Sequence, residues 1–211
     1  MGAKPVLTSG YGGDMSTNER TSDSPLLDPM FIDRWSPRSF ADTPVTDEQI
    51  AAMFEAARWA PSWMNNQPWL FLYETDGPDR AAILDLIMDF NREWVDDAPV
   101  VGLIAARPGL EGFMARTADF DTGAAVMSLT HQAHKLGLVV HLMGGIEIEA
   151  AFAATGLDPE TTNFICAFAI GHQGNGSNLS EKNQEKEKPS PRMPASAFAF
   201  KGLAASPRPA E

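Results

Sequence analysis

The sequence predicts an α/β domain with parallel strands, on three observations. Four short apolar runs of strand length stand at 69–73, 100–106, 138–143 and 163–170. Between them, apolar residues recur at the spacing of one buried helical face. Breakers close three of the runs: Gly77-Pro78, Pro108-Gly109 and Gly144-Gly145.

The first helix is announced by Thr46 and Gln49, a capping box, with Asp47 and Glu48 at the positive end of the dipole. Ile50, Met53, Phe54 and Ala57 form its buried stripe, and it must stop before Pro61. The strand Trp69–Tyr73 follows. Ile83, Leu86, Ile87, Phe90 and Trp94 predict a second amphipathic helix, and Val100–Ala106 a second buried strand. A long helix from about Thr117 to Leu136 ends at a C′ glycine, Gly137. Its small residues Gly123, Ala124, Ala125 and Ser128 allow close helix approach, which suits a central or interface position. Leu138–Met143 is a third strand. A helix over about Glu147–Thr155 ends at Gly156, and Asn163–Ile170 is the fourth strand.

One domain of ordinary size accounts for 211 residues, and 44% apolar content supplies a core and excludes wholesale disorder. The expected organisation is a flexible arm over 1–25, a folded domain over 29–203 and a loose tail over 204–211. A net charge of −12 repels phosphate backbones and anionic lipid, so neither nucleic acid nor a membrane is an expected partner. No run approaches the roughly 20 apolar residues of a spanning helix. The N-terminus lacks an apolar h-region, and a cytoplasmic location is expected. Cys166, the single cysteine, cannot form an intramolecular disulfide and reads as a buried, inert thiol.

Several chemistries lack their residues. The sequence has neither phosphate-cradling glycine loop, no C-x-x-C and no G-x-S-x-G elbow. His131, His134 and His141 superficially suggest a metal, but no carboxylate joins them toward the four ligands of a structural site. Packing or surface positions are expected for them, and no metal.

Three segments remain. Arg34-Trp35-Ser36-Pro37-Arg38-Ser39-Phe40 places two guanidinium forks around a hydroxyl, a natural clamp for one phosphate. Alone, a surface turn paired with Asp33 or Asp42 is the simpler account. In Ala60-Pro61-Ser62-Trp63-Met64-Asn65-Asn66-Gln67-Pro68-Trp69, prolines stiffen a loop bearing the neutral groups of Ser62, Asn65 and Gln67. Such a loop reads the rim of a flat heterocycle, or equally satisfies its own backbone. Residues 181–192 carry one net positive charge, and Pro189 and Pro191 could deliver Arg192 to an anion; a solvated linker is the plainer alternative.

In this order, the three segments resemble the nitroreductase-like family of FMN-dependent oxidoreductases. The family's R-x-S-x-R-x-F is matched by Arg34, Ser36, Arg38 and Phe40, and its A-P-S-x-x-N-x-Q-P-W loop by Ala60, Pro61, Ser62, Asn65, Gln67, Pro68 and Trp69. The helix from Asp121 to Gly137 is similar to the family's dimerisation helix, and the likeness spans about 29–202. The resemblance replaces the parallel expectation with an α+β, three-layer sandwich. It implies a largely antiparallel sheet, helices on both faces and an intertwined homodimer with FMN at the interface.

The resemblance further implies that Arg34, Ser36 and Arg38 hold the phosphate and ribityl chain, and that Arg192 completes the phosphate clamp. Pro61, Ser62 and Asn65 would approach the flavin from the other subunit. Gly144 and Gly145 would face flavin N5, where a missing Cβ allows close approach. NADH or NADPH would pass hydride to N5, and an electron-poor acceptor (nitroaromatic, quinone or activated alkene) would then take it. Arg38 near the N1–C2 edge would favour the anionic reduced flavin. No side-chain acid is required, so no catalytic residue is named. The alternative of the same fold is a protein that binds or handles flavin without turnover. Two residues depart from the pattern. Bulky Trp63 narrows or lids the substrate channel, and Ser190 stands where many members carry a lysine, which thins the phosphate clamp.

Overall fold

The four apolar runs become β1 (Trp69–Glu74), β2 (Val100–Ala106), β3 (Val139–Met143) and β4 (Asn163–Gly171), paired in the order β1-β2-β4-β3. The computed structural model describes residues 20–22, 24–107 and 113–202; the first 19 residues of the expected arm, Pro108-Gly109 and the 204–211 tail lie outside them. Every strand pairing is antiparallel. This corrects the parallel sheet drawn from strand–helix alternation and agrees with the α+β sandwich implied by the resemblance. An apolar run of five to nine residues reads alike in both directions, so only pairing decides its sense.

Helices cover both faces. α2 (Asp47–Arg58) and α5 (Phe113–Lys135) lie on one, where Ile50, Met53, Ala125 and Leu129 pack with Val100, Ile104, Val140, Phe168 and Ile170. α3 (Arg80–Asp85), α4 (Asp89–Val95) and α6 (Ile148–Thr155) line the other, where Leu84, Trp94, Val95 and Ala151 meet Val101, Leu103, Val139 and Ala169. β2 is buried along its whole length, as a central strand between two helical layers must be. A register shift opposite Ile104/Ala105 turns Phe164 to the face opposite Cys166. Burial raises the Cys166 thiol to about 11, so it is inert at neutral pH.

Thr46 Oγ1 accepts from Gln49 N at 3.2 Å while Gln49 Oε1 accepts from Thr46 N at 2.9 Å, the reciprocal box read from sequence. Gly137 and Gly156 take φ of 75° and 66° at the ends of α5 and α6, as C′ glycines do. The expected second amphipathic helix is instead two short ones, α3 and α4. Between them Ile87 forms a β-bridge with Ile146, Leu86 O accepts from Glu147 N at 2.8 Å, and Gly145 O accepts from Met88 N at 3.1 Å. The apolar period persists across the break, but tertiary hydrogen bonds displace helical ones and anchor the Gly144-Gly145 loop. Among the described residues, no helix is long and apolar enough to cross a membrane.

Candidate functional site

The short helix α1 (Met30–Asp33) runs into the Arg34–Phe40 loop, which the core grips at its far end. Phe40 stacks on Trp94 at 6.3 Å between ring centroids and forms a β-bridge with Gln173. Buried Ser39 donates through Oγ to Asn178 Oδ1 and accepts from Gly176 N, both at 2.9 Å.

A second segment docks on this loop through the Glu187 carboxylate, with Arg38 Nη1 also donating to Lys186 O at 3.4 Å and Arg20 linking Ser190 O to Arg34 O. Beyond α7 (Glu181–Gln184), Glu187 accepts from Arg38 N at 2.8 and 2.9 Å and from Ser39 N at 2.9 Å. Burial raises its pKa against the lowering effect of those amides and of the Arg38 charge. The contact closes a cleft of about 480 Å³ whose lining includes Arg34, Ser36, Arg38 and Arg192, gathered from both segments. Lys186 and Lys188 join them, with Glu185 as an acidic member. In a chain of net charge −12, such a concentration of cations is a local inversion of field, of the sign that suits an anionic ligand.

His141, on β3, forms part of the wall. A carbonyl only accepts, so His141 Nδ1–H donates to Pro37 O at 2.8 Å. The ring lies 4.6 Å from that of Trp94. Burial pushes the imidazole down to about 4; the Pro37 carbonyl acts against this and the Arg38 charge adds to it. Between pH 6.5 and 4 the unfolded chain therefore takes up a proton that the folded chain refuses, and stability falls as pH drops through that window. The loss is on the order of 3 kcal/mol. Glu187 contributes with the opposite sign just above its ordinary value, so urea midpoints of wild type and His141→Gln are compared across pH. The variant should give the flatter profile; an equal slope assigns the acid loss elsewhere.

The other expected site residues do not line this cleft. Pro61, Ser62 and Asn65 lie on the loop between α2 and β1, which contains a 3-10 turn at Trp63–Asn65. Met64, Asn65 and Gln67 adopt φ of 47°, 59° and 49°, left-handed values that cost about 1–3 kcal/mol each in such residues. Ser62 Oγ accepts from Gln67 N, and Asp121 Oδ2 on α5 accepts from Trp63 N, both at 3.0 Å. Gln67 Nε2 also donates to Asn65 O at 3.2 Å, so two of the loop's polar side chains serve its own backbone, while the strain is held against α5.

Gly144 and Gly145 follow β3 and are not among the lining residues of that cleft. A Cβ at Gly144 would enter open space. At Gly145 it would meet Phe90 Cζ at 2.5 Å, so packing against Phe90 explains that glycine. The histidines take packing positions: Phe31 meets His131 edge-on at 5.1 Å, and His134 is half-buried on α5.

Sequence reasoning missed three contributors. Arg20, within the expected arm, lines the cleft; His141 shapes it; Glu187, which looks like one acid in a charge run, is its clasp. Only Glu187 had a signal, an acid amid lysines with no partner of its own at helical spacing.

A sequence model of the Nitroreductase family matches residues 32–93, which hold both the Arg34–Phe40 loop and the 61–67 loop. A solved oxidoreductase containing FMN is 36% identical and superposes with a TM-score of 0.83, covering 90% of this chain and 98% of its own. The chain belongs to the nitroreductase family. A Rhodopseudomonas palustris member provisionally named NADH dehydrogenase/NAD(P)H nitroreductase is 25% identical over 201 residues, 84% of this chain and 95% of its own. The nitrobenzene nitroreductase of Ectopseudomonas oleovorans is 44% identical over 76 residues, 36% of this chain and 33% of its own. Within this nitroreductase-family fold, the cationic cleft and the strained loop are built by different segments of the chain.

Proposed function

We propose that the protein is an FMN-dependent oxidoreductase that uses NADH or NADPH to reduce an electron-poor acceptor such as a nitroaromatic, quinone or activated alkene. The observation that carries this reading is the convergence of Arg34, Ser36, Arg38 and Arg192 on one cleft. The donor set fits FMN: forked guanidiniums and a hydroxyl suit a phosphomonoester, and a Cβ at Gly144 would meet nothing, which leaves that backbone open to a ligand. When bound, FMN supplies hydride chemistry at N5. Arg34, Arg38 and Arg192 neutralise the phosphate, and Arg38 extends positive charge toward the ring's pyrimidine edge. His141 stays neutral through physiological pH and holds the loop through Pro37. No side chain is assigned a proton transfer.

The protein works as a homodimer. α5 turns Phe120, 80% exposed, Met127 and open Gly123 outward, continuous through Asp121 with a loop whose Met64 is 78% exposed. A partner covering this face would bring its own Pro61, Ser62 and Asn65 toward a cleft that this chain's loop does not line.

The deciding experiment is a visible spectrum of the purified protein before and after anaerobic NAD(P)H, with sedimentation to give the oligomeric state. Flavin bands that bleach support the enzyme. Bands that persist leave a flavin-holding protein, and a colourless protein that does not take up added FMN sinks the reading. Arg38→Ala should weaken FMN by about 1.5–3 kcal/mol, roughly 10- to 150-fold. Flavin fluorescence titration reads this, and unchanged affinity overturns the site.

A further inference from the structure

We infer that Asp121 is a positioning residue of the proposed flavin site: from α5 it holds the 61–67 loop in the shape presented to the partner's cleft. Asp121 is 5% exposed, and among the described residues its carboxylate forms no ion pair. A buried carboxylate is costly unless it is hydrogen-bonded, and here Oδ2 accepts from Trp63 N at 3.0 Å. Other bonds close the loop on itself. Asn65 N donates to Ser62 O at 3.1 Å, Asn66 N to Trp63 O at 3.0 Å and Gln67 N to Ser62 Oγ at 3.0 Å. Those bonds fix the loop's internal shape, whereas the bond to Asp121 ties that shape to α5, 58 positions away in the chain. Met64, Asn65 and Gln67 hold left-handed φ values although all three are exposed, so burial of their own side chains does not offset the strain. Strain of this kind persists only where surrounding structure imposes it, and it gathers at functional loops. Asp121 also stands between exposed Phe120 and open Gly123, on the α5 face assigned to the partner. Seating α5 against a second copy therefore seats Pro61, Ser62 and Asn65 as well.

The inference rests on the proposed dimeric FMN site, and its test separates the two. Hybrid dimers of full-length Asp121→Ala and Arg38→Ala, co-expressed with different tags, are titrated with FMN by fluorescence. Where each loop serves the other subunit's cleft, one site in the hybrid has an intact loop and an intact Arg38, and the second site has neither. The hybrid should bind one FMN with wild-type affinity, while each variant homodimer loses roughly tenfold to a hundredfold. Asp121→Asn keeps an acceptor oxygen without the charge and should lose only several-fold. Hydrogen exchange at the Trp63 amide should quicken in Asp121→Ala with no flavin added. A hybrid without a site of wild-type affinity overturns the assignment, because Asp121 then serves its own cleft or the fold at large. Wild-type FMN affinity in the Asp121→Ala homodimer overturns it too, as does unchanged exchange at Trp63. Should Asp121→Ala fail to fold, Asp121→Asn takes its place in the hybrid and in the exchange measurement and is read the same way. A wild type that takes no flavin fails the proposed function and the flavin-facing role together, whereas in a protein that takes flavin the hybrid tests Asp121 alone.

Discussion

Replacing Phe168 with alanine is expected to lower the unfolding free energy by about 3–5 kcal/mol, the range for deleting a fully buried aromatic ring. Phe168 lies on β4 opposite Gly102 of β2 and is 1% exposed. A Cβ on Gly102 would sit 2.5 Å from Phe168 Cζ and would also collide with the Leu72 carbonyl of β1. The ring therefore fills space that the central strand leaves vacant. Once it is removed, no side chain at Gly102 can relax into the gap, and Phe71 loses its edge contact, at 6.3 Å between centroids. The cavity opens between the sheet and the α2/α5 layer, where collapse would pull on both helices. Urea unfolding followed by far-UV circular dichroism gives the value. A loss under 1 kcal/mol would mean the layer repacks freely.

Replacing Glu187 with alanine is expected to undock the 185–192 segment, at a cost of about 3 kcal/mol. A hydrogen bond to a charged acceptor contributes roughly 1.5–3 kcal/mol, and Glu187 takes the amides of both Arg38 and Ser39. A competing effect has the opposite sign, because the substitution also removes a negative charge near the anion cleft. Water screens that charge in an open cleft, so the gain is about 0.5 kcal/mol and the lost docking wins. FMN affinity should fall by roughly two orders of magnitude, with Glu187→Gln intermediate because it keeps one acceptor oxygen. Hydrogen exchange should rise at the Arg38 and Ser39 amides. Tighter FMN binding by Glu187→Ala would show that charge outweighs docking.

Much of the fold was legible because it is local. A capping box needs only Thr46 and Gln49, and the ends of α5 and α6 only need a glycine able to turn left-handed. The family was legible for a different reason: its motifs set particular side chains at short spacing, so Arg34, Ser36, Arg38 and the 61–69 loop stand out as a pattern along the chain. Arg192 joined that set only through the resemblance, since a cation beyond a Lys/Glu run looks like any solvated one.

What the sequence by itself determined was where the four strands and most of the longer helices lie and which residue types could meet an anion, because propensity, capping and side-chain chemistry act within a few residues. Local pattern left the sense of the sheet open, the family resemblance gave it as antiparallel and strand pairing bore that out, while tertiary structure alone decided the break at 86–88 and the roles of Glu187, His141 and Arg20. Strand pairing and hydrogen bonds such as that from Arg20 to Ser190, 170 positions away, depend on contacts that no local pattern encodes.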